Sequence, residues 1–198
     1  MHTFNPHCIT DIYLDLDEVL VDLEGALQKL NNSFQSELIL AEIKGNKSEV
    51  FFKHLISSID KKVFEISEPT NLYKILVTTP YQSYSSILDY WRNNGIKLHI
   101  LSSVTSQLTN QHSSISTQKY HWLQKYNLLE NLSIHLVKGA YLKQQYASST
   151  SLLLDDYTSN CEQFRKAGGM AIQVKSKNEE DVLKQLHLLG LLDNSIHF

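Results

Sequence analysis

Asp15 and Asp17 stand two residues apart at the end of an apolar run, in Ile12-Tyr13-Leu14-Asp15-Leu16-Asp17-Glu18-Val19-Leu20-Val21-Asp22. A strand buried on both faces reads as a nearly continuous hydrophobic stretch. Acids at its carboxyl end face the crevice in which open α/β sheets bind ligands. Taken alone, the pair could equally belong to a loop that caps the following helix. The rest of the chain shifts that balance. Ser102 follows a second apolar run, Lys138 and Lys143 follow a third, and Asp155-Asp156 follow Leu152-Leu153-Leu154. Clustered carboxylates repel one another unless a divalent cation or a shared proton neutralises them, so hard-oxygen coordination of Mg²⁺ is the natural solution. A lysine amine and a serine hydroxyl can then hold anionic oxygens and stabilise charge on a transferring phosphoryl group.

These residues need a scaffold that brings them together. Short apolar runs at residues 97–101, 133–137, 151–154 and 170–174 predict further strands, with helical patterns between them. The clearest helix is predicted over 80–94: Thr79 caps it, Pro80 takes the first position, Tyr84, Ile87, Leu88 and Trp91 share a face, and Gly95 ends it. Residues 119–126 place Trp122, Leu123 and Tyr126 together. Residues 159–167 turn Cys161 and Phe164 inward before Gly168-Gly169, making Cys161 a core thiol. A capping box from Ser176 to Glu179 opens a last helix over 179–192, packed through Val182, Leu183, Leu186 and Leu189. Strands alternating with helices predict an α/β fold with a doubly wound, Rossmann-like parallel sheet. Residues 23–79 interrupt the alternation without an evident strand. Phe51, Phe52, Leu55, Ile56 and Ile59 recur there at helical spacing, which predicts a compact helical cap over the end of the first strand. The core domain is then 1–22 and 80–198, and the cap 23–79. Ser, Thr, Gln and Asn dominate residues 102–118, which predicts a flexible active-site loop with His112 solvated.

The order strand-Asp-x-Asp, strand-Ser, Lys, strand-Asp-Asp resembles the haloacid dehalogenase (HAD)-like hydrolase superfamily. The carrying segments are the Asp-x-Asp run above, Leu98-His99-Ile100-Leu101-Ser102-Ser103 and Leu152-Leu153-Leu154-Asp155-Asp156. Within it, the chain looks closest to the 5′(3′)-deoxyribonucleotidase-like group. The local matches are Asp15 to Asp22, Lys119-Tyr120-His121-Trp122-Leu123-Gln124-Lys125-Tyr126, and Asp155-Asp156-Tyr157 with Asn160. The resemblance implies an aspartyl-phosphate mechanism with Asp15 as nucleophile and Asp17 as general acid and base. It implies a metal site for Mg²⁺ formed by Asp15, the Asp17 main-chain carbonyl, Asp155 and Asp156. Ser102, with Ser103 beside it, and Lys143 would bind phosphate, and Phe52 of the cap would reach the substrate. Lys143 fits the family spacing to Asp155 better than Lys138. Two positions depart from the pattern. Glu18 replaces the glycine common after the second aspartate, and Tyr157 stands where a basic residue often follows the Asp pair. A dehalogenase would have no need of Asp17 as proton donor. A receiver domain would carry its lysine after the last acids rather than before Asp155.

Composition sets the outer bounds. The 198 residues are 42% hydrophobic and 20% charged, enough for a buried core, and the formal net charge of -3 gives no global field for nucleic acid or an anionic membrane. Two cysteines are too few for a disulfide framework, and no run reaches membrane-span length. The expectation is a soluble cytoplasmic protein whose amino-terminal His2, His7 and Cys8 form a mobile arm, acting on a small-molecule phosphate ester. Homo-oligomers are compatible with this, whereas the missing basic stripe argues against a polynucleotide substrate. The competing expectations are a sugar or polynucleotide phosphatase, and a catalytically weak scaffold that binds a nucleotide or a protein.

Overall fold

The structure is a computed structural model that describes residues 9–104, 112–130, 132–175 and 178–193. In chain order it holds β1 (Asp11–Leu14), β2 (Val21–Asp22), α1 (Leu23–Leu30), α2 (Phe34–Lys44), α3 (Lys47–Ser58), α4 (Val63–Ile66), β3 (Glu68–Pro69) and α5 (Asn71–Tyr73). Then come α6 (Ile87–Asn93), β4 (Lys97–Ser103), α7 (His112–Lys125), β5 (Ser133–Val137), β6 (Ser151–Asp155), α8 (Thr158–Lys166), β7 (Met170–Gln173) and α9 (Glu179–Leu188). Five strands form a parallel sheet in the order β5-β4-β1-β6-β7, with β1 at its centre. The expected doubly wound sheet is therefore present.

Alternation along the strands explains why this sheet needs helices on both sides. Ile12, Leu14, Ile100, Leu152 and Leu154 join one buried cluster with Trp91 of α6, Trp122 and Leu123 of α7, and Val182, Leu183 and Leu186 of α9. Tyr13, Leu101 and Leu153 point the other way and pack with Cys161 and Phe164 of α8. Each large apolar side chain buried in this way contributes about 1.5–3 kcal/mol. Cys161 is a core thiol as expected, and its burial pushes its pKa up to about 12.

The excursion after β1 is mostly helical, but it is framed by a feature the sequence did not announce. Val21 and Asp22 pair antiparallel with Pro69 and Glu68. Thr70 ties the return to the departure: its amide donates to Leu20 O at 3.0 Å and its hydroxyl to Val19 O at 2.6 Å. Asp22 caps α1 by accepting from the Gly25 amide at 2.8 Å. The far end is seated on α7, where Gln118 Nε2 donates to Ile59 O at 2.9 Å and Trp122 Nε1 to Ser67 O at 3.1 Å.

Several boundaries differ from expectation. The helix predicted from residue 80 starts at Ile87, capped by Ser86, whose side chain accepts from the Asp89 amide at 3.1 Å. Tyr81 and Tyr84 exchange backbone hydrogen bonds, closing a tight turn that competes successfully with a helix start at Pro80. Residues 112–118 are the first turns of α7 rather than loop, because Ile115 and Gln118 are buried and extend the face of Trp122. Residues 102–103 complete β4. Residues 105–111, the side chain of His112, the amino-terminal His2, His7 and Cys8, and Ser176 lie outside the described residues. Asn178 occupies the N-cap position of α9, which ends at Leu188. No helix among the described residues is long and apolar enough to cross a membrane.

Candidate active site

Strand register assembles the acidic centre. Leu14 is level with Leu154 on one side and Ile100 on the other, so Asp15, Asp155 and Ser102 emerge at the same carboxyl edge from three adjacent strands. The Asp15 amide continues the ladder by donating to Leu154 O at 2.9 Å. One ligand oxygen from each of Asp15, Asp155 and Asp156 falls within 4.8 Å of the others. Lys143, 1% exposed, bridges two of the three: its Nζ lies 2.7 Å from Asp15 Oδ2 and 2.6 Å from Asp155 Oδ2. It comes from the 3₁₀ segment Ala140–Tyr146, directly before β6. Asp155 Oδ1 also accepts from the Tyr157 amide at 2.9 Å and from Asn160 Nδ2 at 2.9 Å. Asp15 Oδ1 accepts from the Leu16 amide at 2.7 Å.

The electrostatics show how strongly these buried carboxylates act on one another. Burial and the neighbouring Asp15 push Asp155 up to about 6 even though Lys143 opposes the shift. Burial, with Asp15, Asp155 and Glu18 nearby, raises Asp156 well above the ordinary carboxylate range. Burial would discharge Lys143, yet Asp15 and Asp155 outweigh it and hold its pKa above the ordinary value. One ammonium among three carboxylates leaves an acid excess, and three converging hard oxygen donors suit Mg²⁺. The donor set therefore fits that ion.

Asp17 is placed differently. Its carboxylate is ion-paired with Lys119 of α7, both oxygens 2.9 Å from Nζ; Oδ2 accepts the hydrogen bond, and the buried Oδ1 accepts none. Burial and Asp15 raise its pKa despite Lys119. Ser102 is fully buried and accepts from Lys119 Nζ at 2.8 Å, and Ser103 O accepts from the same nitrogen at 2.8 Å. Lys119 is the principal residue that the sequence reading left without a role. The signal was its position on the apolar face of α7, four residues after Ile115 and three before Trp122, where a solvated lysine has no place.

A cavity of about 450 Å³ opens over this centre. Asp15, Asp17, Ser103, Lys119 and Asp156 line its floor, and Phe51, Phe52 and Leu55 of α3 line the opposite wall with Phe64 of α4. Phe52 is 44% exposed and reaches the cavity, while Ser102, Lys143 and Asp155 stand behind the lining residues. Lys47 of α3 and Glu24 of α1 form an ion pair of 3.2 Å at the cavity wall. Lys138 is not among the side chains that meet at the carboxylates.

Fold and site together define a HAD-like α/β architecture carrying an acidic group suited to a metal. Solved structures with this architecture include a HAD-superfamily hydrolase from Ehrlichia chaffeensis (14% identity, 91% of this chain and 97% of that one, TM-score 0.55). Another is a HAD-family hydrolase from Deinococcus radiodurans R1, solved with bound phosphate and sodium (13% identity, 94% and 98%, TM-score 0.55). A third is a hydrolase from Streptococcus pneumoniae TIGR4 (16% identity, 89% and 99%, TM-score 0.51). At these identities the likeness is one of fold. No protein-family model matches the sequence, and no curated protein does.

Proposed function

We propose that this chain is an Mg²⁺-dependent phosphomonoester hydrolase. The observation that carries the reading is the meeting of Asp15, Asp155 and Asp156 beneath a cavity, with Lys143 bridging Asp15 and Asp155 and the Asp17–Lys119 ion pair beside them. An Asp15 oxygen attacks phosphorus, and the bond from phosphorus to the ester oxygen breaks as the aspartyl-phosphate forms. Asp17 gives its proton to the departing alkoxide. It then takes a proton from the water that cleaves the Asp15–phosphorus bond and releases phosphate. Burial raises the Asp17 pKa, the direction a general acid needs. Lys143 and the Ser102 hydroxyl stabilise the phosphoryl oxygens. Asp15, Asp155, Asp156 and the Asp17 carbonyl would hold the Mg²⁺, which would supply Lewis-acid neutralisation of phosphoryl charge.

The cavity volume suits a small ester, and the aromatic wall from α3 and α4 suits a planar leaving group. Together with the deoxyribonucleotidase-like motifs, this favours a deoxynucleoside monophosphate over a sugar phosphate or a polynucleotide end. A cytoplasmic setting accords with this substrate. A scaffold without turnover has no use for mutually repelling buried acids. Assay of nucleotides and sugar phosphates with Mg²⁺ tests the proposal. Hydrolysis is expected, abolished in Asp15→Asn and reduced at least about 10²-fold in Asp17→Asn. Turnover that persists in saturating chelator, or an unaffected Asp15→Asn variant, refutes it.

A further inference from the structure

Two lysines are buried in this site, and the mechanism above uses only one. Lys119 Nζ has three donors and three acceptors: the Asp17 carboxylate at 2.9 Å, Ser102 Oγ at 2.8 Å and Ser103 O at 2.8 Å. The ammonium is saturated, so a phosphate oxygen could bind it only by displacing one of these partners. Its surroundings are otherwise apolar, with the Phe64 ring centroid 5.2 Å away and Ile115 and Trp122 buried on the same helix. A buried ion pair adds little to stability over well-packed apolar residues, so stability alone does not account for an ammonium here.

We propose that Lys119 is a positioning residue for the proton transfer, an inference that rests on Asp17 being the general acid. The contact keeps the Asp17 carboxylate out of the Asp15, Asp155 and Asp156 group, which does not include it: both carboxylate oxygens lie 2.9 Å from Lys119 Nζ, Oδ2 takes its hydrogen bond, and Oδ1 takes none. That oxygen carries the proton to the leaving alkoxide as the phosphorus–oxygen bond breaks and the Asp15–phosphorus bond forms. The same ammonium fixes the direction of Ser102. Because Ser102 Oγ accepts from Lys119, its own proton is directed away from that lysine.

The effect of Lys119→Met separates this role from a structural one. 4-Nitrophenolate departs without a proton, whereas an alkoxide needs one. With Mg²⁺ present, kcat on an alkyl phosphomonoester such as glycerol 2-phosphate should fall about 10²-fold, and kcat on 4-nitrophenyl phosphate less than about tenfold. In an Asp17→Asn background, Lys119→Met should lower alkyl-ester turnover by less than about threefold further. Equal losses on the two esters, or full additivity with Asp17→Asn, would overturn the proposal. A crystal structure of Lys119→Met supplies a readout that needs no activity: the Asp17 carboxylate should leave its present orientation, and an unmoved Asp17 and Ser102 would sink the idea. Should that variant fail to fold, Lys119→Arg retains a cation for Asp17 and should keep the alkyl-to-aryl ratio within about threefold of the wild type, a larger change counting against the role. Failure of the hydrolase reading itself shows separately, as wild-type protein inactive on both esters or an active Asp15→Asn variant.

Discussion

At the scale of single residues, this site is a set of charges that tolerate one another only through specific partners. Glu18 shows the local constraint. Its φ of 58° lies in the left-handed region that favours glycine, which gives a physical reason for the glycine common at this position in the superfamily it resembles. Here a glutamate accepts that conformation and its carboxylate takes the Glu24 amide at 2.7 Å, fixing the entry into α1. Lys143 is the more consequential case. Replacing it with methionine leaves Asp15 and Asp155 facing each other without their shared cation. Loss of one partner from such a buried group costs about 3–5 kcal/mol. Urea unfolding of Lys143→Met in chelator should show a loss of that order at pH 8. The loss should be smaller at pH 5, where the carboxyls take up protons instead. Mg²⁺ should restore a larger share of stability in the variant than it adds to the wild type, because a divalent ion replaces the missing charge. Identical midpoints for the two proteins at pH 8 would show that Lys143 does not balance the carboxylates.

At the scale of elements, helix α3 carries residues of two kinds. Leu55 is 5% exposed and belongs to the main core cluster, whereas Phe52 is 44% exposed and projects into the cavity. Phe52→Ala should therefore leave the melting temperature nearly unchanged while raising KM for a nucleoside monophosphate about tenfold and sparing methyl phosphate. Leu55→Ala should cost about 2–5 kcal/mol of stability and depress both activities together. A uniform loss in Phe52→Ala through unfolding would make that ring core instead. The same division explains what was legible in the sequence. Strands β1, β4 and β6 could be read because the central strands are largely apolar runs, with the acids after β1 and β6 standing out against them, and the edge strands β5 and β7 left shorter apolar segments. The start of α6 could not, because the Tyr81–Tyr84 turn and the Ser86 cap are decided by local hydrogen bonds that composition does not rank. The β2–β3 ribbon is two residues long on each side and too short to leave a periodic signal. The meeting of Asp17 and Lys119, 102 residues apart, is a product of tertiary packing. Only the apolar neighbours of Lys119 hinted at it.

At the scale of the whole molecule, the acidic centre sets the direction in which stability responds to pH. Asp155 is raised to about 6 and Glu18 to about 8, and Asp156 and Asp17 are also raised. Each binds its proton more tightly folded than unfolded. Each therefore contributes stability that is complete below its unfolded pKa, near 4, and is lost as pH climbs through the folded value. Without metal, the protein should weaken steadily from about pH 5 to pH 8. Glu37 acts in the opposite sense, held at about 2 chiefly by Ser33, then His54 and Lys53, but it is exposed and its contribution is small. Metal reverses the slope, because the oxygens that would bind it must first lose their protons. At a hundredfold excess over the dissociation constant, Mg²⁺ adds about 2.7 kcal/mol, and the apparent affinity rises as the carboxyls ionise. Paired melts in Mg²⁺ and in chelator should thus diverge from pH 5 to pH 8. Asp155→Asn should abolish most of the divergence while keeping an oxygen for the Tyr157 amide and Asn160. The strands bearing Asp15 and Asp155 are hydrogen-bonded neighbours at the centre of the sheet, so an ion joining them stabilises the part of the fold on which all else packs. A melting shift that is absent, or equal at both pH values, would separate the acidic group from metal binding.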